Sequence, residues 1–298
     1  MKHPVRVLAL FVILTVYGSV GVVAQQLVLP QRPNSVRFAI LGDTGTGDSG
    51  QIQVAQQLQR YRGVFPFSFV LLLGDNMYGS ERPQDYARKF ELPYKVFLDA
   101  KVEFHAALGN HDDPNQRYYK PFNLGGNRYR TFKKENVRFF VLDSNYMDPE
   151  QMKWLEKELQ ASGSDWKIPY FHHPLYTSAT RGPVLELRTV LEPLFVKYGV
   201  DVVLTGHEHV YERTKPQNGI HYFVAGGSAK LRGGDLRKTA LTEVGFDTDR
   251  SFMLVEIAGG EMHFQTISRP GATIDKGVIR RREVPGAGPA QAPSAASK

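Results

Sequence analysis

Apolar and polar positions alternate in blocks along this chain. Apolar runs stand at "VRFAIL" from Val36, "FSFVLLL" from Phe67, "VEFHAAL" from Val102, "VRFFVLD" from Val137, "WKIPYF" from Trp166 and "VDVVLT" from Val200. Runs of this length, bounded by turn-forming residues, predict strands. Two intervening stretches carry helical spacing instead. "DPEQMKWLEKELQAS" puts Met152, Leu155 and Leu159 on one face, with Asp148 as N-cap and Pro149 as first helical residue. "LELRTVLEPLFVKYG" does the same with Val190, Leu191, Leu194 and Phe195, and Gly199 supplies a C-terminal stop. Farther on, "GIHYFVAGG", "SFMLVEIAGG" and "EMHFQTIS" read as strands without helices between them. The order predicts an α/β core finished by antiparallel strands, in one domain with no internal repeat.

Composition agrees with a globular chain. With 298 residues, 42% hydrophobic and 22% charged, there is material for one large core, and the composition is neither disordered nor collagen-like. The first residues, "MKHPVRVLALFVILTVYGSVGVVAQQ", run from a basic start through an apolar stretch to small residues, the order of a secretory signal peptide cleaved after Ala24. The rival reading is a retained membrane anchor. Residues 1–24 are therefore expected to be a signal peptide, 25–282 the folded domain and 283–298 a flexible Pro/Ala/Gly/Ser-rich tail. This places the protein outside the cytoplasm, secreted or periplasmic, with no membrane association after cleavage. Loss of Lys2 and Arg6 lowers the formal charge from +7 by two. The remaining surplus favours anionic ligands generally. No stretch alternates basic and aromatic residues, so no nucleic-acid partner is expected. The chain has no cysteine, which excludes disulfides and thiolate metal sites.

The chemistry lies just after the strands. "VRFAIL" runs into "GDTG", "FSFVLLL" into "GDNMY", "VEFHAAL" into "GNHDD", "WKIPYF" into "HHP" and "VDVVLT" into "GHEHVYER". In open α/β sheets, sites assemble at the carboxyl ends of strands. A single Gly-Asp is an ordinary turn, and His105, His221 and His263 read as satisfied polar residues. But five of the nine histidines fall in these motifs, each at the same end of a strand. Carboxylate, amide and imidazole donors suit hard to borderline cations. An aspartate can give one oxygen to each of two ions, and a pair roughly 3.5–4 Å apart can hold both oxygens of an in-line displacement at phosphorus. In an extended chain the i, i+2 spacing of "HEH" would put both rings on one side.

Taken in order, "GDTG", "GDNMY", "GNH", "HHP" and "GHEH" resemble the five signature blocks of the purple acid phosphatases, a branch of the calcineurin-like metallophosphoesterases. The resemblance covers Val36 to about Gly227 and implies a four-layer α/β/β/α sandwich, two mixed sheets flanked by helices. It implies that Asp43, Tyr78 and His209 bind a ferric ion. It further implies that Asn110, His172 and His207 bind a divalent ion (Fe, Zn or Mn), and that Asp75 bridges the two. Within "HHP" the family places the ligand two residues before the proline, which selects His172 over His173. Lack of cysteine sets the chain apart from mammalian-type members, and it is expected to be the short, single-domain form.

Tyr78 has a reading independent of the family name. Superfamily relatives mostly carry Asp-x-His in the first block, whereas this chain has Asp43-Thr44-Gly45. If the loop after Asp75 enters a helical turn, residues three apart share a face, and the phenol can replace the missing imidazole. A phenolate is a hard anionic donor that favours a trivalent cation. The implied activity is hydrolysis of phosphate monoesters by a metal-bound hydroxide. His111 and His173 are the candidates for protonating the leaving alcohol or stabilising the phosphate oxygens. Asp112 either orients His111 or caps a helix. The alternative activity is that of a calcineurin-like phosphodiesterase or nucleotidase using a manganese or zinc pair.

Overall fold

The computed structural model describes residues 27–237 and 239–282, so the signal-peptide and tail expectations lie outside the described residues. The chain order is β1 (Val36–Leu41), helix Ser49–Val64, β2 (Phe69–Leu72), β3 (Glu103–Ala106), β4 (Arg130–Lys134), β5 (Val137–Val141), helix Pro149–Ala161 and β6 (Trp166–Phe171). It continues with helix Leu185–Lys197, β7 (Val202–Thr205), β8 (Tyr211–Thr214), β9 (His221–Ala225), β10 (Thr242–Phe246), β11 (Ser251–Ala258), β12 (Glu261–Ser268) and β13 (Thr273–Arg280). One sheet has the order β13-β12-β11-β1-β2-β3 and the other β10-β8-β9-β7-β6-β5-β4. In the first, β1, β2 and β3 run parallel while β11, β12 and β13 are antiparallel. In the second, β5, β6, β7 and β9 run parallel, with antiparallel strands at both edges.

Strand alternation builds the layers. Phe38 and Ile40 of β1 point between the sheets, where they join Phe69, Leu71, Phe139, Ile168, Phe223 and Val255 in the central core. Their neighbours Ala39 and Leu41 face the other way and pack with Val54, Leu58 and Tyr61 of helix Ser49–Val64. On the second sheet, Phe140, Phe171 and Val203 face outward onto Leu155 and Leu159 of one helix and Leu187, Leu191 and Phe195 of the other. The result is the expected four-layer sandwich, and burial on both faces explains why the parallel strands read as continuous apolar runs.

Asp148 caps its helix as expected, accepting from the backbone N–H of Gln151, three residues on, at 2.7 Å. Three elements depart from the hydrophobic pattern. Val190 lies on the exposed side of its helix, 42% exposed, because the buried stripe runs through Leu187, Leu191 and Phe195. The buried face of helix Ser49–Val64 mixes polar with apolar residues, since Gly50, Gln51 and Gln57 are buried with Val54, Ala55, Leu58 and Tyr61. Strand β9 is antiparallel on one side only, to β8. It pairs parallel with β7, so its carboxyl end lies at the same edge as those of β5, β6 and β7.

Candidate metal centre

Each motif turns sharply as it leaves its strand. Asp43, Asp75 and His207 have φ of 55°, 51° and 69°, a left-handed conformation that is costly for residues with a β-carbon. Backbone hydrogen bonds hold these turns together. Asp43 N–H donates to the Gly74 carbonyl at 3.1 Å, Thr44 N–H to that of Asp75 at 3.1 Å and Gly206 N–H to that of His172 at 3.0 Å. Gly109 is required by contact, because a β-carbon there would lie 2.1 Å from the Asp75 nitrogen and 2.3 Å from its Oδ1.

Seven side chains converge in two groups. In one, the Tyr78 hydroxyl donates to Asp43 Oδ1 at 3.0 Å and lies 3.2 Å from His209 Nε2, which is itself 3.4 Å from Asp43 Oδ1. In the other, Asn110 Oδ1 is 3.0 Å from His172 Nε2 and 2.9 Å from His207 Nδ1, and the two ring nitrogens are 3.2 Å apart. Asp75 lies between the groups. Its Oδ1 is 3.3 Å from His172 Nε2 and accepts from the His111 N–H at 2.9 Å, while its buried Oδ2 has no hydrogen-bond partner. The His172 Nδ1 faces the Leu73 carbonyl at 3.0 Å, which fixes its proton there and leaves the Nε2 lone pair for the cluster.

The electrostatics of this arrangement call for a cation. Asp43 and Asp75 are fully buried close together, and burial, followed by repulsion from Asp75, pushes the Asp43 carboxyl well above the usual carboxylate range. Burial likewise pushes the Tyr78 phenol far up, with Asp43 and Asp75 adding to the effect. The imidazoles move the other way. Burial lowers His172, His207 and His209, the last to about 4, helped by neighbouring positive groups. Buried like charges, an orphaned carboxylate oxygen and neutral imidazole lone pairs facing one another are the features of a donor set that fits metal ions. Asp43, Asp75 and His209 form one potential cluster of metal-binding side chains, and His172, His173 and His207 another.

Three local expectations are corrected. The segment after Asp75 makes no helical turn. Instead, Tyr78 N–H donates to the Gly45 carbonyl, so a contact between loops brings the phenol in. The "HEH" segment is bent rather than extended, and the bend at His207 sends the two rings to different groups. His173 lies beside the second group, its ring centre 4.5 Å from that of His207 and its Nδ1 2.9 Å from Ser144 Oγ. The His111 ring packs 4.9 Å from the Tyr78 ring. Asp112 neither orients His111 nor caps a helix. Its carboxylate accepts from Gly109 N–H, Met77 N–H, Asn76 Nδ2 and Gln116 Nε2, fastening the "GNHDD" turn to the "GDNMY" turn, while Asp113 does the capping.

Other residues of the site escape the motif pattern. Arg181, in the loop after "HHP", donates to the His207 carbonyl at 2.8 Å with its guanidinium against the ring. Lys230 sits 4.7 Å over the Tyr78 ring, and its N–H donates to the Asp43 carbonyl at 3.1 Å. Its signal was available, since "GGSAK" follows β9 as the other motifs follow their strands. Glu208 is fully buried between the two histidines, and burial pushes its carboxyl up to about 7. By contrast His105, whose Nδ1 accepts a hydrogen bond from the Arg130 guanidinium and whose Nε2 faces Glu103, is the satisfied polar residue expected.

The calcineurin-like phosphoesterase family model matches residues 36–211, and the chain belongs to this family of metallophosphoesterases. Human tartrate-resistant acid phosphatase type 5 is 26% identical over 88% of this chain and 98% of its own length. Purple acid phosphatase 4 of Arabidopsis thaliana is 25% identical over 78% of this chain and 80% of its own. The purple acid phosphatase PPD1 of yellow lupin shares the fold with a TM-score of 0.67 at 20% identity, over 83% of this chain and 54% of that one.

Proposed function

We propose that this protein is an acid phosphatase that hydrolyses phosphate monoesters at a binuclear centre. Asp43, Tyr78 and His209 would hold Fe(III), Asn110, His172 and His207 a divalent ion, and Asp75 would serve both. The observation that carries this reading is Asp75 itself, buried between the two groups with one oxygen left without a partner. Such ions, when bound, acidify water and neutralise charge on phosphoryl oxygens. An Arabidopsis relative named Fe(3+)-Zn(2+) purple acid phosphatase 12, 30% identical over 64% of this chain and 46% of its own length, supports the mixed pair.

The chain's own side chains have separate tasks in this reading. Ser144 accepts from the His173 N–H at 3.1 Å and faces Nδ1, which fixes the ring and leaves Nε2 to protonate the departing alcohol. His111 and Arg181, both exposed and lying beside Tyr78 and His207 respectively, would bind phosphate oxygens. Asp112 keeps the two turns carrying Asp75 and Asn110 in register. Cleavage of the amino-terminal segment after Ala24 would place this activity outside the cytoplasm.

Tyr78 provides the test. A phenol held this far from ionisation by burial and two carboxylates becomes a phenolate only with a cation among these groups. Iron-loaded protein should therefore show a phenolate-to-iron absorption band in the visible, together with hydrolysis of a generic aryl phosphate. Tyr78→Phe should lose the band and keep much of the activity. A colourless wild type, free of iron after production in iron-rich medium and fully active with manganese or zinc, would instead favour the phosphodiesterase or nucleotidase reading.

A further inference from the structure

The loop that carries Tyr78 has a weak point directly after it. Gly79 takes a left-handed φ of 76° and has open space where a β-carbon would stand, so packing at that position does not restrain the chain. On either side of Gly79, the carbonyls of Tyr78 and Ser80 turn to one group, the ammonium of Lys89, which donates to them at 2.7 and 2.5 Å. Lys89 is buried, with 2% of its surface exposed. An ammonium is costly to bury unless it is paired and hydrogen-bonded, and an apolar side chain would fill the space without that cost. Asp85 completes the wrapping: its Oδ1 lies 4.0 Å from the ammonium, and its Oδ2 accepts from Ser80 Oγ at 2.8 Å.

The backbone under Lys89 is equally particular. Ala87–Glu91 form a π-helical turn, with Leu92 N–H donating to the Ala87 carbonyl five residues back at 2.8 Å. Such turns are rare and are frequent at functional sites. Pro93 stands four residues after Lys89 and has no N–H to give its carbonyl. The buried Gln51 side chain supplies the donor instead, Nε2 to the Lys89 carbonyl at 2.6 Å, while its Oε1 accepts from Gly47 N–H at 2.6 Å. One amide thus ties the turn of Lys89 to the loop that follows Asp43.

We infer that Lys89 is a positioning residue for Tyr78. Its ammonium locks the two peptide groups around Gly79 and so presents the phenol to Asp43 and His209, whether or not an ion is bound. Lys89 acts only through the backbone of Tyr78. In the reading proposed above, on which the spectroscopic half of the test rests, the phenol so presented is the iron ligand.

The test uses full-length protein without added metal and after iron loading. Without metal, hydrogen exchange is measured at the Tyr78 amide, which is bonded to the Gly45 carbonyl, and at the amides of β11. After loading, the visible band is measured per bound iron. Lys89→Met keeps the length of the side chain and removes its donors. It should speed exchange at Tyr78 about tenfold or more, the scale of losing a hydrogen bond from a charged group. Exchange in β11 should stay unchanged, and the band per iron should weaken. Lys89→Arg, which keeps charge and donors, should restore part of both, and Lys89→Gln replaces the methionine variant if that one does not fold. Unchanged exchange at Tyr78, or equal acceleration in β11, would overturn the inference and leave the iron reading standing. So would a band per iron that Lys89→Met leaves intact. A wild type without the band, together with local acceleration at Tyr78, sinks the reading of Tyr78 as an iron ligand and leaves the role of Lys89 standing.

Discussion

The backbone N–H of Tyr78 donates to the carbonyl oxygen of Gly45 at 3.0 Å, so the segment bearing the phenol lies against the position where Asp-x-His relatives carry an imidazole. A β-carbon on Gly45 would meet the Asn76 carbonyl oxygen at 2.0 Å and the Met77 Cα at 2.4 Å. The missing histidine and the added tyrosine are thus one structural choice. Only a residue without a side chain lets the second turn come close enough to deliver its phenol.

From that contact, Gly45→Ala should cost about 1–3 kcal/mol, the scale of overpacking against atoms that cannot move aside. Gly45→His in a Tyr78→Phe background should fail to restore the original donor set. Denaturant midpoints with and without metal measure both effects, and unchanged stability of Gly45→Ala would show that the two turns separate freely.

Removal of Asp75 reaches both groups of ligands at once. Asp75→Ala should abolish binding of two metals per chain and lower activity by several orders of magnitude. Asp75→Asn keeps the size and the acceptor for the His111 N–H but not the charge, and should retain the fold while losing at least one ion. Elemental analysis paired with circular dichroism separates metal loss from unfolding.

His172 and His173 are adjacent but differ in surroundings. His172 is fully buried against the Leu73 carbonyl, whereas His173 is part-exposed against Ser144. His173→Ala should keep both ions and lose on the order of 10²–10⁴ in rate, the scale of a general acid. Burial lowers the His173 pKa, so the proton needed by the leaving group is lost below the usual imidazole range, and activity should fall as pH rises through that region. This alkaline limb should disappear in His173→Ala. Metal loss from His173→Ala with retention in His172→Ala would reverse the assignment.

His105 carries a prediction for stability rather than catalysis. Burial, with Arg130 beside it, lowers its pKa from 6.5 to about 4. The unfolded chain takes up this proton below about 6.5 while the folded chain does not, so stability should fall as pH drops from 6.5 to about 4 and then level off. The loss is up to about 3 kcal/mol for so buried a group. His105→Gln should flatten this part of the stability profile, even if it is less stable at neutral pH. Urea midpoints across the range test it, and an unchanged slope would exclude His105 as the source.

By itself, the sequence determined what depends on neighbouring residues. Apolar runs marked the strands, Asp148 and Pro149 marked a helix start, and Gly-Asp, Gly-Asn-His and His-Glu-His at the strand ends marked which donor atoms were available. These features were legible because burial and local dihedral preference leave a periodic trace. Only the tertiary structure decided how the donors divide. His207 N–H donates to Asp43 Oδ2 across 164 residues of chain, and Tyr78 meets His209 across 131. Neither contact has a local signature. The parallel pairing of β9 with β7 brought Lys230 to the site, where a reading of β9 as an antiparallel finish had left it out. Asp112 found its partners on a turn some 35 residues away instead of on its neighbour His111. Residue spacing can name the groups able to bind, but strand order and the turns that end the strands decide which of them meet.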